Sequence, residues 1–295
     1  MFVFIKRNMK VFIRDKVAFF LSLLSVIILL ILYKIFLAQL QIDGIKEAMN
    51  VKSAPSDVIK LVNIWLNAGL ITITCMTSTL GAYGVSVEDR EYARTDDFKI
   101  TTLGETKLEI SYMISAIVIG FFITLILYIL GTVILIGGDG LLIGIIPTIQ
   151  VMFLILIGCT LSLTLIYPFM CFIKTTTQFA TFSTIIGTAI GFLTGVYISI
   201  GSLSKSVGNL VTWFPLTQIS AILKQTLMSS TLKEVFHNAP KSIRLSYEYD
   251  YGVILRFPDN TDITNMQIWL YILMIFLIFI VLDIIITHLV NKHGN

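Results

Sequence analysis

The sequence predicts an all-α integral membrane protein. It has six transmembrane helices, an N-terminal amphipathic surface helix and a small outer region between spans five and six. Three observations predict this. Hydrophobic residues fill 56% of the 295 positions and charged residues only 13%, where a soluble domain carries about 25% charged residues. Apolar runs of the ~20 residues needed to cross a bilayer recur along the chain. The charges gather between those runs, most densely at 86–107. The net charge of +3 gives no signal of a nucleic-acid partner.

Residues 1–16 read as a surface helix. Phe2, Ile5, Met9 and Phe12 recur at helical spacing, with Lys6, Arg7, Lys10 and Arg14 between them, the pattern of a basic helix lying on a membrane. Residues 17–37 form the first span; the run is too long for a signal-peptide core and no small-residue cleavage site follows. A polar loop at 39–57 leads to the second span at 59–85. The third span is 110–136, closed by the tight turn Gly137-Gly138-Asp139-Gly140. The fourth is 145–172, with Pro147 near one end and a kink expected at Pro168. After a short turn at 174–178 the fifth span is 179–203. The sixth is 267–289, with a tail at 290–295.

The segment 204–266 divides in two. Val207, Leu210, Val211, Phe214, Ile219, Ile222, Leu223 and Leu227 keep helical spacing and are broken by Pro215, as two short helices at the outer interface or dipping into the membrane would be. Residues 243–257 alternate, with Tyr247, Tyr249 and Tyr251 on one face and Glu248 and Asp250 on the other, which predicts a strand. The segment reads as an outer lid or as a plain cap. Six spans place both termini on one side. The termini, the charged loop and the 174–178 turn hold Lys6, Arg7, Lys10, Arg14, Lys16, Arg90, Arg94, Lys99, Lys107, Lys174 and Lys292, against Lys34, Lys46, Lys52 and Lys60 opposite. Positive charge stays inside, so the termini and the charged loop are expected in the cytoplasm and 204–266 outside.

The chain lacks the P-loop pattern for ATP, a nucleophile elbow and histidines at metal spacing, since His237, His288 and His293 are scattered. Cys75, Cys159 and Cys171 lie in apolar runs and read as small core residues. No catalytic residue, metal site or cofactor is therefore predicted for this chain. Asp283 is the one acid inside a span and reads either as a proton site or as a paired buried carboxylate. In the second span Asn63, Asn67, Thr74, Thr77, Ser78 and Gly81 share a face, suited to a translocation path or to hydrogen bonding between helices. In the fifth, Ser183, Gly187, Gly191, Gly195 and Ser199 repeat every four residues and predict a close helix contact, within one subunit or between two.

The 86–107 loop carries Glu88, Asp89, Arg90, Glu91, Arg94, Asp96, Asp97, Lys99, Glu105 and Lys107, with Tyr92 and Phe98 as aromatic handles. It is either a solvated connection or a surface for a partner in water. Three stretches together resemble the ABC-2-type ABC transporter permeases. RNMKVFIRDKVAFFLSLLSVIILLILY is similar to that family's start, with Arg14-Asp15 ahead of the first span. VEDREYARTDDFKITTLGETKLEISYMIS resembles its first cytoplasmic loop, and NLVTWFPLTQISAILKQTLM its outer region, with Pro215 at the family's usual proline. The link Ile100-Thr101-Thr102-Leu103 lacks a proline that many members carry.

The resemblance implies a half-transporter in a bacterial cell membrane. Two permease subunits, identical or paralogous, would enclose the path, and two separate ATPase subunits using ATP and Mg would dock beneath. Residues 88–98 would be a coupling helix, with Glu88, Asp89, Arg90, Glu91, Arg94, Asp96, Asp97 and Phe98 meeting the ATPase. The second and fifth spans would line a path for a drug, antimicrobial peptide, toxin or lipid-like substrate. An ion- or proton-coupled carrier acting alone and a non-transporting membrane scaffold are the alternatives.

Overall fold

A computed structural model describes residues 1–16, 27–28, 30–39, 41–43, 55–99, 104–137, 144–259 and 261–293. The expected first span, most of the 39–57 loop, the link 100–103 and the Gly138–Gly140 turn lie largely outside the described residues. The described residues are helical throughout, with no strand. In order they form α1 (Phe2–Arg14), a π-helical turn (Tyr33–Leu37), α2 (Ser56–Glu91), α3 (Arg94–Lys99), α4 (Glu105–Ile136) and α5 (Ile145–Met170). Then come α6 (Thr176–Leu193), a 3₁₀ turn (Ile200–Ser202), α7 (Lys205–Trp213), α8 (Pro215–Val235), α9 (Lys241–Asp250) and α10 (Asn265–His293). Four helices, α2, α4, α5 and α10, are long and apolar enough to cross a membrane.

The long helix α2 is the axis of the bundle. Its 36 residues are buried on almost every side, from Leu61 and Val62 to Val87 and Asp89. The helices α4, α5, α6 and α8 pack around it. Direct bonds fix their directions. Asn63 on α2 donates to the Leu135 carbonyl of α4 at 2.8 Å, and Tyr112 on α4 reaches Asp89 on α2, so the two helices are antiparallel. The helix α10 keeps only a narrow face inside and exposes Leu270, Leu273, Leu277 and Ile284.

Four expectations need correction. The buried face of α1 is Phe4, Asn8 and Phe12, and Phe2 is exposed; the expected stripe ignored the polar Asn8, whose amide reaches Ser115 at 3.3 Å. The fifth run ends early. Its hydropathy continues past residue 193, but Gly195 adopts φ +62, a left-handed turn that L-residues avoid. The amides of Val196 and Tyr197 then bond back to the Gly191 carbonyl at 3.0 and 3.1 Å.

The break at Pro215 stands where expected, yet the second of the two helices is not short. The 21-residue α8 buries Leu216, Ile219, Leu223 and Met228 against α2 and α5. The expected strand at 243–257 is helical over Lys241–Asp250. Tyr247 and Tyr251 stack one helical turn apart with ring centroids 4.2 Å apart, and Glu248 is buried against Arg244 at 2.8 Å. A helix-spaced pair therefore explains what looked like alternation.

Close packing between α2 and α4 depends on Gly120. A Cβ there would lie 2.3 Å from Thr79 Oγ1 and 3.1 Å from the Thr79 backbone. Gly120→Ala is expected to cost about 1–3 kcal/mol by overpacking. Gly81→Ala, with nothing within 4 Å of its added atom, should leave stability unchanged or raise it. Thermal unfolding in detergent compares the two, and equal melting temperatures would refute this contact.

Candidate functional site

The site is built at the end of α2 where the sequence turns from apolar to charged. Helix α2 does not stop at the membrane-length run but continues through Glu91. The chain reverses at Tyr92 and Ala93, with Ala93 at φ +56, and α3 begins at Arg94. The expected continuous helix over 88–98 is thus two pieces.

Three consecutive residues of the last turn each bind a different part of the fold. Asp89 is fully buried. Both of its oxygens accept from the Arg7 guanidinium of α1, with Nη2–Oδ1 at 3.0 Å. Tyr112 Oη of α4 donates at 2.6 Å, and Arg94 Nη1 of α3 at 3.3 Å. A buried carboxylate is tolerated only when paired and hydrogen-bonded in this way. Arg90 donates from Nη1 to the Met170 carbonyl at 3.1 Å, satisfying a free carbonyl at the C-terminus of α5. Its other nitrogens hold the Ser86 carbonyl and hydroxyl. Glu91 accepts from the Thr176 amide at 2.8 Å, and Thr175 Oγ1 from the Gln178 amide at 3.3 Å, so two free amides at the start of α6 are capped.

An aromatic cluster seals the Asp89 pocket. Phe4 meets Phe98 edge-on at 4.8 Å and Tyr112 at 5.2 Å. The Arg7 guanidinium lies over the Phe98 ring at 5.2 Å and the Phe4 ring at 5.5 Å, adding cation–π attraction. The bond to Asp89 holds the Arg7 guanidinium above its ordinary pKa. Arg94 is raised by its bonds to Asp89 and then Glu88.

The predicted loop residues therefore fall into two groups. Asp89, Arg90, Glu91 and Phe98 join α2 and α3 to α1, α4, α5 and α6. Glu88, Tyr92, Arg94 and Asp97 reach the surface, Tyr92 at 63% exposure, and Asp96 lies between them on α3. The second group could be touched by a partner without opening the protein. Any displacement of α3 acts through Asp89 on three other helices at once. Sequence reasoning missed Arg7, Asn8, Tyr112 and Thr176. The signal that could have found Arg7 is electrostatic: a carboxylate one and two helical turns beyond apolar Val85 and Ala82, on the same face of α2, needs a cation when that face is buried.

The polar stripe of α2 faces α4. Asn63 bonds Leu135, Asn67 Nδ2 bonds Thr132 Oγ1 at 3.2 Å, and Ser78 bonds the Gly120 carbonyl at 3.2 Å and Thr124 at 3.2 Å. Thr74 is buried beside them, and Thr77 donates within α2. The stripe holds helix to helix. The glycine series is split. Gly187 has nothing within 4 Å, a Cβ on Gly191 would strike the Tyr197 ring at 2.2 Å, and Gly195 lies past the helix end. The contact at Gly191 is thus with the returning chain, not with a facing helix. Among the described residues no group of three or more His, Cys, Asp or Glu could hold a metal ion. Comparisons with family models, characterised proteins and solved structures find no match for this chain.

Asp89→Asn removes the charge while keeping the shape, and leaves Arg7 without its partner. It is expected to cost about 3–5 kcal/mol, read as a large fall in melting temperature. Asp97→Asn, outside the network, should melt like the wild type. In the Arg7→Gln, Asp89→Asn double variant the second change should cost far less than alone. An Asp89→Asn protein as stable as the wild type would remove the network's structural role.

Proposed function

We propose that this chain is the membrane-embedded permease subunit of an ATP-binding cassette exporter. Separate ATPase subunits, using ATP and Mg, supply the energy. The observation that carries the reading is the two-faced charged end of α2. Its inner residues tie the helices together, and its outer residues, Glu88, Tyr92, Arg94 and Asp97, reach the surface, with Arg94 bonded to both Glu88 and Asp89. That division suits a coupling element: a motor protein pushes on the exposed face, and the buried ion pair passes the push to the helices.

The finer layout belongs to the same proposal. Six crossings follow if 17–37 is the first and α6 the fifth, with α1 on the inner membrane surface and both termini in the cytoplasm of a bacterial cell. The α2 stripe is occupied by α4, so the path and the contact with a second permease fall to the open face of α6. There Thr181, Thr184 and Thr188 are exposed with hydroxyls bonded to their own helix, and Gly187 leaves room for close approach. The substrate class is a drug, antimicrobial peptide, toxin or lipid-like molecule.

Asp97→Lys tests the reading outside the buried network, and Tyr92→Ala removes an exposed ring that meets the network only through the Arg94 guanidinium, 5.0 Å from the ring centre. Loss of an exposed aromatic anchor costs about 2 kcal/mol at an interface hot spot, roughly thirty-fold in affinity. The permease should stay folded and lose its co-purifying ATPase and ATP-dependent export. Undiminished ATPase binding and export in both variants would refute the docking assignment. Purification of an active transporter with no ATPase would refute the class.

A further inference from the structure

The far end of the molecule holds a second polar feature that the coupling site does not use. A pocket of about 410 Å³ opens between α7, the 3₁₀ turn, the end of α9 and the loop after it. That volume lies within the ordinary ligand-site range of roughly 300–1,000 Å³. Two opposite charges face it from different elements, Lys205 at the start of α7 and Asp250 at the end of α9. Neither has a hydrogen bond or ion pair among the described residues. The third charge on the wall, Arg256, is already bonded to Asp262 at 3.1 Å and lies over the Tyr249 ring. Burial raises the pKa of the Asp250 carboxyl, against the field of Arg256.

Gly201 makes the arrangement possible. A Cβ there would lie 2.3 Å from Asp250 Oδ1 and 2.8 Å from the Asp250 Cα, so only glycine lets that carboxylate sit against the 3₁₀ turn. Helix α7 is two-sided. Lys205, Asn209 and Thr212 line the pocket, while Val207, Leu210 and Trp213, three residues apart, are 47%, 58% and 43% exposed. Trp213 also meets Phe257 at 5.8 Å and Tyr271 at 5.5 Å. Aromatic clusters of this kind favour the headgroup level of a bilayer.

We propose that this pocket binds the headgroup of a zwitterionic aminoalkyl phospholipid, with the ammonium on Asp250, the phosphate on Lys205 and the acyl chains along Val207, Leu210 and Trp213. One uncommitted charge of each sign favours a zwitterion over an anion, and the exposed Leu210 and Trp213, the latter packed on the pocket-lining Phe257, favour a lipid over a free headgroup. The assignment does not depend on the export reading; it needs only a chain embedded in a bilayer.

The test uses the purified full chain in detergent with a chain-labelled fluorescent phosphatidylethanolamine as probe. Unlabelled short-chain phosphatidylethanolamine should displace it at a concentration about tenfold or more below that of phosphatidylglycerol, the worth of one charge-assisted hydrogen bond. Asp250→Asn should erase that preference by weakening phosphatidylethanolamine alone. Lys205→Gln, on the opposite wall, should weaken both lipids, because both carry phosphate, and it keeps the test valid if Asp250→Asn fails to fold. Equal affinity for the two lipids in the wild type, or a preference that survives Asp250→Asn, overturns the site. Displacement by water-soluble glycerophosphoethanolamine as potent as by the lipid overturns the lipid as occupant.

Discussion

The buried carboxylate of Asp89 is the constraint from which the charged end of the bundle follows. An ionised group shielded from water must be surrounded by donors, and no single neighbouring helix supplies enough of them. Arg7 comes from α1, Arg94 from α3 and Tyr112 from α4. Satisfying one side chain therefore fixes three elements against α2. The same turn of helix then finds its next two polar groups opposite the ends of α5 and α6, where backbone carbonyls and amides lack partners. Helix ends that would otherwise be open to water are closed by two adjacent residues, Arg90 and Glu91.

Along the rest of α2 the same accounting operates with neutral groups. Asn63, Asn67 and Ser78 bond α4, and Gly120 and Gly131 of α4 allow that helix to come close. At the far end Trp65 Nε1 and Lys224 Nζ both donate to the Tyr251 carbonyl, at 2.8 and 3.0 Å, and Gln225 donates to Val253 at 2.8 Å. These bonds hold the α9 region on the bundle. The segment between α6 and α10 is accordingly packed on the helices. The fully buried Lys224 amine lies over the Trp65 ring at 5.4 Å, held by that aromatic face and the Tyr251 carbonyl.

The membrane class, the long apolar helices and the break at Pro215 were legible because each depends on composition or on one residue's backbone. The charged loop was legible as a site but not in its division of labour. Glu88 and Asp89 are neighbours of the same charge, and only the rotation of α2 turns one toward water and the other into the core.

What the sequence by itself determined was where α2, α4, α5 and α10, the helices long and apolar enough to cross a membrane, lie and where charge collects, since hydropathy and charge belong to each residue without reference to partners. It could not decide where α6 ends, because a left-handed Gly195 is one conformation among several until Val196 packs against Gly69. Nor could it decide helix against strand at Tyr247, Tyr249 and Tyr251, which fit either period over so short a run. The pairing of Arg7 with Asp89, 82 residues apart, was left to the tertiary structure for the same reason. An ion pair is specified by position in space, and position is settled only when the apolar faces of the helices have packed.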